Sequence, residues 1–193
     1  MAEILDGKKL RDKLLDDLKL KLDGFKNKPT LVVILVGDNP ASKIYVNNKK
    51  KMAERVGINS EVINYPANIT EQELLNKIEE LNNDKNVTAI LVQLPLPEHI
   101  SKENVMNTIL PSKDVDGFTP YNFGKLFSGE VPTVYPCTPK GIILLLDEYN
   151  IPIEGKHVVI VGRSNIVGRP LSQMLLNRNA TVTVCHSYTK NLS

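Results

Sequence analysis

Residues 31–37, LVVILVG, form an unbroken apolar run rich in β-branched side chains and closed by glycine. A strand with one wet face alternates apolar and polar residues, so a run without alternation reads as a parallel strand covered on both faces. Parallel strands need crossover connections, usually helices, and the neighbouring sequence supplies them. DNPAS at 38–42 reads as a turn in which Asn39 caps and Pro40 takes the first helical position of a helix carrying IYVNNKKKMAERVGI, 44–58. A second strand at 61–65 leads to Thr70 and Glu73, which have the spacing of a capping box, and to a helix with Leu74, Ile78 and Leu81 on one face. VTAILVQ, 87–93, is a third strand, stopped by the prolines of LPLP. Upstream, Leu10, Leu14, Leu18 and Leu22 recur every fourth residue and predict an amphipathic packing helix over 7–23. The order is that of an open α/β layer, in which ligands sit beyond the carboxyl ends of the strands.

One residue does not suit its place in that layer. At about 100° per residue, Tyr45, Lys49, Met52, Ala53 and Val56 share a stripe, while Lys50 and Lys51 point elsewhere. Lys49 is therefore expected on the buried face of its helix. Two readings stand: a stem that snorkels to water, or a desolvated amine available for proton transfer. Gln93, at the end of the third strand, lies at the same edge of the layer. Asp114 and Asp116 of PSKDVDGF, 111–118, are also candidates, although Asp before Gly is a common turn pair and spacing does not choose between them. YPCTPKG, 135–141, completes the set of loops.

Composition removes several classes of function. Twenty-four basic and 22 acidic residues, net +2, are scattered along 193 positions, leaving no polybasic footprint for nucleic acid or an anionic membrane. No apolar run approaches the ~20 residues of a membrane span, and the first residues lack the long apolar segment of a secretory signal. The expectation is a soluble, cytoplasmic protein. Cys137 and Cys185 form no C-x-x-C, and His99, His157 and His186 are not at metal-ligand spacing, so neither a disulfide framework nor a metal site is expected.

From Thr138 the texture changes. Pro139 sits where a first helical residue would, and GIILLLDEY follows as a helix with a continuous apolar side. The domain boundary is placed here, giving 1–138 and 139–193. HVVIVG with RSNIVGRP then has the strand, loop and helix order of a dinucleotide-binding turn, with departures from G-x-G-x-x-G. After Gly162, Ser164 replaces the second glycine, and Gly168 lies one residue beyond the expected third. An ordinary βα turn is the competing reading. In the functional one, the helix beginning near Pro170 offers unpaired N–H groups and a positive dipole end to a phosphate. The next strand, ATVTVCHSYTK, has no carboxylate for a ribose 2′-hydroxyl. Arg163 in the loop and Ser187 at the strand end instead favour the 2′-phosphate of NADP.

Taken together, YVNNK, VQLPLP, PSKDVDGF, PCTPKG and VVIVGRSNIVGRP with CHS resemble the bifunctional methylenetetrahydrofolate dehydrogenase/methenyltetrahydrofolate cyclohydrolase family, in order and over essentially the whole chain. The resemblance implies a three-layer α/β catalytic lobe followed by a partial Rossmann NADP-binding lobe, with tetrahydrofolate derivatives bound in a cleft between them. It also implies a role in one-carbon metabolism and a homodimer in the full-length form. Carried over by motif, Tyr45 is similar to the tyrosine that stacks on the aminobenzoate ring and Lys49 to the lysine of cyclohydrolase proton transfer. Gln93 resembles its hydrogen-bonding partner and Asp116 the carboxylate that binds the pterin, so all four are expected in the catalytic site. Pro139 and Gly141 would shape the cleft wall, and Gly162, Arg163, Ser164, Gly168 and Ser187 would hold NADP. Family members continue well beyond a second Rossmann strand, so the chain is expected to be a fragment or an incomplete module. That leaves open retention of cyclohydrolase or folate binding alone, or a non-catalytic nucleotide-binding or docking role.

Overall fold

The computed structural model describes residues 3–192. They form two compact units, one of residues 11–115, the other from Asp116 onward together with the segment before Arg11. The boundary read from sequence, at 138/139, falls inside a helix of the second unit.

The first unit is built on β1 (Thr30–Val36), β2 (Asn59–Tyr65) and β3 (Ala89–Val92), all parallel, in the order β2-β1-β3. Helix α2 (Pro40–Val56) joins β1 to β2, and α3 (Glu71–Asn83) joins β2 to β3. β2 and β3 flank β1 on opposite sides, so two right-handed crossovers put α2 and α3 on opposite faces. β1 is sealed accordingly: Val33, Leu35 and Leu91 pack with Val46 of α2, while Val32 and Ile34, on the alternate face, are completely buried. The helix starts follow the sequence. Asn39 accepts the Ser42 N–H with Pro40 at the first turn, and Thr70 and Glu73 form the reciprocal capping box. Gly57 ends α2 at φ +86°, a left-handed conformation that costs glycine little.

Helix α1 (Gly7–Asp23) has the expected span but not the expected stripe. Leu10 and Leu22 are buried, whereas Leu14 and Leu18 are 40% and 38% exposed. The middle of the helix is tied to α2 instead by Arg55, which bridges Asp12 and Asp16. Helix α4 (Lys102–Thr108), seven residues capped by Ser101, is too short for periodicity to reveal.

In the second unit, α5 (Pro120–Phe127), α6 (Cys137–Glu148) and α7 (Gly168–Leu176) pack with β4 (His157–Val161) and β5 (Thr181–Cys185), a parallel pair. Leu126, Ile143, Ile160, Leu171, Met174 and Leu175 form the core. Helix α5, capped by Thr119 and also unexpected from sequence, is only eight residues long.

Candidate active site

Helix α2 buries Ser42, Val46, Ala53 and Val56. This corrects the predicted stripe on one side: Tyr45 is 63% exposed, because Val46 meets the sheet and leaves Tyr45 on the flank. Lys49 lies between these extremes, half-buried, one turn from Tyr45. Its Nζ donates to Gln93 Oε1 at 3.4 Å, close to the outer limit for such a bond. No carboxylate lies within ion-pair distance of Lys49 among the described residues. Lys49 is thus neither fully exposed nor ion-paired here: its amine meets a neutral amide.

Gln93 is placed by the sheet. Its N–H donates to Ile34 O at 2.9 Å, continuing the ladder one residue past β3. Its side-chain Nε2 donates to Leu94 O at 2.7 Å. Because that donor must face a carbonyl, the acceptor Oε1 is left for the lysine. The amide thus has one orientation that satisfies both ends. On the other flank of α2, an open cavity of about 800 Å³ is lined by Lys43, Asn47, Lys50 and Tyr65. Its lysines are already paired, Lys43 with Asp38 at 2.6 Å and Lys50 with Glu54 at 3.9 Å.

The two aspartates that spacing could not separate differ in structure. Asp114 is 4% exposed and bridges to Ile90, extending the edge of β3. Asp116 is half-buried in the second unit, where the Cys137 thiol donates to its Oδ1 at 3.7 Å. Gly117 explains how that loop closes. Its φ is +70°, and a Cβ there would lie 2.8 Å from Val134 O, Tyr135 C and Pro136 N, so only glycine permits the approach. The Asp-Gly pair was visible in sequence, but the backbone it would press against was not. Pro139 is buried. It is the third residue of α6, not the first, because the helix starts at Cys137. Gly141 is exposed, with no atom within 4 Å of an added Cβ, so packing inside this chain does not require glycine there.

The nucleotide turn keeps the logic of the glycine fingerprint in altered form. Gly162 ends β4 at φ +134°. A Cβ on Gly168 would collide with the Gly162 carbonyl, its oxygen first and its carbon at 2.7 Å. Gly168 thus performs the close helix-to-strand packing of a third glycine despite its one-residue displacement. Helix α7 starts at Gly168 rather than near Pro170, and its first amides are not all unpaired. Ser164 Oγ accepts from Val167 N at 3.1 Å and Gly168 N at 3.5 Å, while Ser164 O accepts from Arg169 N. With these donors engaged, the start of α7 has fewer free N–H groups to offer a phosphate. Arg163 is exposed, with its guanidinium 5.6 Å from the centre of the Tyr188 ring. Ser187, also exposed, lies in the turn after β5. A tight glycine turn, an exposed cation and a strand end without a carboxylate fit a nucleotide bearing a 2′-phosphate. Among the described residues, no cluster of metal-ligating groups is present and no helix is long and apolar enough to cross a membrane.

Comparison with known proteins gives the same division of labour. The family model for the tetrahydrofolate dehydrogenase/cyclohydrolase catalytic domain matches residues 5–116, and that for its NAD(P)-binding domain matches 136–193. The bifunctional protein FolD of Francisella philomiragia is 54% identical, over 98% of this chain and 68% of its own length. The crystal structure of the bifunctional FolD of Campylobacter jejuni superposes with a TM-score of 0.95 at 51% identity, over 98% of this chain and 68% of that one. The FolD of Trypanosoma brucei, solved with NADP and an inhibitor, gives 0.93 at 35% identity, over 98% of this chain and 66% of that one. With matches to both domains and half of its residues shared with such relatives, the chain belongs to the tetrahydrofolate dehydrogenase/cyclohydrolase family.

Proposed function

We infer that this chain oxidises 5,10-methylenetetrahydrofolate to the 5,10-methenyl form with NADP and hydrolyses that product to 10-formyltetrahydrofolate. Family membership carries the pair of reactions. The contact of Lys49 Nζ with an oriented Gln93 amide supports giving the proton transfer to Lys49.

Bound at this turn, NADP would supply a hydride acceptor for the bridging carbon. The cation left on the folate is shared between two nitrogens, so no strong base is needed and positioning provides most of the rate. Arg163, Ser164 and Ser187 hold the nucleotide, with Gly162 and Gly168 setting the turn. Tyr45, exposed on α2, offers a ring face for stacking on the aminobenzoate group. Asp116 accepts hydrogen bonds from the pterin, and Pro139 and Gly141 shape the wall beside it. In the second reaction water attacks the cationic carbon, and Lys49 takes the proton before the ring opens. Gln93 keeps the amine at its station. The enzyme works in the cytoplasm as a homodimer.

Two assays on one preparation test the reading: nicotinamide reduction on adding methylenetetrahydrofolate and NADP, and hydrolysis of methenyltetrahydrofolate. Both should be present in the wild type. Lys49→Met should lower hydrolysis by about 10²-fold or more. Near-normal hydrolysis by that variant would remove Lys49 from the role given to it.

A further inference from the structure

The turn after β5 does more than end a strand. His186 N donates to Thr189 Oγ1 at 2.8 Å, Thr189 N donates back to His186 O at 2.8 Å, and Tyr188 N donates to His186 Nδ1 at 3.1 Å. The His186 and Tyr188 rings meet edge to face at 6.2 Å. Three hydrogen bonds within four residues fix the backbone under a tyrosine that is 80% exposed. The neighbouring loop is held in register by Gly162 N donating to Cys185 O at 2.7 Å. Across this junction, the Arg163 guanidinium sits over the Tyr188 ring. A long exposed cation ordinarily samples many rotamers, and ordering it on binding costs affinity. An aromatic face beneath the guanidinium narrows that ensemble before the ligand arrives.

We propose that Tyr188 is a positioning residue for nucleotide selectivity, holding Arg163 ready for the 2′-phosphate that distinguishes NADP from NAD. The proposal rests on the assignment of NADP to this turn. Tyr188 acts through Arg163, so its effect falls on ligands that carry a 2′-phosphate and spares those that do not. The phenol hydroxyl has no part in it, so the ring alone suffices.

Calorimetric titration of the intact chain with adenosine 2′,5′-bisphosphate and with 5′-AMP provides the test without turnover. The wild type should prefer the bisphosphate, and Arg163→Gln should abolish most of that preference. Tyr188→Leu should weaken the bisphosphate by about 2–5-fold, the scale of an exposed cation–π contact, leave 5′-AMP unchanged and leave the melting temperature in place. Tyr188→Phe should restore wild-type selectivity. A wild type without preference would overturn the NADP assignment and the proposal together. A wild-type preference that survives Tyr188→Leu, or a Leu variant that weakens both ligands equally, would overturn the role of Tyr188 alone.

Discussion

The two parallel sheets are written in nearly the same letters and buried quite differently. In β1, TLVVILV, Val32, Val33 and Ile34 have no exposed surface. In β4, HVVIV, Val158 and Ile160 face the core of the second unit, while Val159 and Val161 are 54% and 70% exposed. The open face of β4 and β5 also carries His157, whose ring nitrogen lies 2.8 Å from Thr183 Oγ1. An apolar strand therefore announces that it can be covered, not that it is; coverage comes from the elements that pack on each face. The chemistry follows the same divide. Gln93 is set beside β1, a strand sealed on both faces, and Lys49 by the helix that follows β1, whereas Arg163 and Tyr188 stand on loops and are organised by a turn.

The contrast should be plainest in stability. Ile34→Ala leaves a cavity in a sealed layer and should cost about 2–5 kcal/mol, measured by urea unfolding. Gly168→Ala comes next: its Cβ has only backbone to displace, so α7 must shift, at a cost on the scale of overpacking, about 1–3 kcal/mol. Nucleotide binding should weaken with it, while methenyltetrahydrofolate hydrolysis is spared. Val161→Thr, on the open face, should stay within about 0.5 kcal/mol. A loss comparable to that of Ile34→Ala would mean that this face is covered in solution.

The smallest expected effect concerns pH. Hydrogen bonds from Asn104 and then from the Ser101 backbone, with a lesser contribution from His99, hold the Glu71 carboxyl below its ordinary value of 4.5. A depressed carboxylate stabilises the fold above its unfolded value, and that stabilisation is lost as pH falls through the folded one. The first unit should thus weaken on acidification below the ordinary glutamate range. Glu71→Gln should flatten that part of the profile, read from melting temperature against pH; an unchanged slope would exclude Glu71 as its source.

The first unit was highly legible because its signals are local. Asn39 and Pro40, Thr70 and Glu73, and the stripe of Leu74, Ile78 and Leu81 each declare a helix start or face within a few residues. The short α4 and α5 were not, since seven or eight residues scarcely complete two turns. In the candidate site, residue types marked Lys49 and Gln93 as candidates, but not which face of α2 would be sealed, and Tyr45 was placed too deep for that reason. Gly168 was legible as an irregular glycine; that it meets Gly162 backbone depends on a turn no spacing rule describes. The pairing of Arg163 with Tyr188 joins two loops and left no mark in either one alone.

Lys49→Arg is the sharpest probe of the amine. Arginine keeps a long stem, a positive charge and a donor for Gln93, but it does not give up its proton at accessible pH. If Lys49 moves a proton, methenyltetrahydrofolate hydrolysis by Lys49→Arg should fall by about 10²-fold or more while affinity for NADP is unchanged. Hydrolysis within a few-fold of the wild type would show that a fixed positive charge suffices, and that proton transfer lies elsewhere.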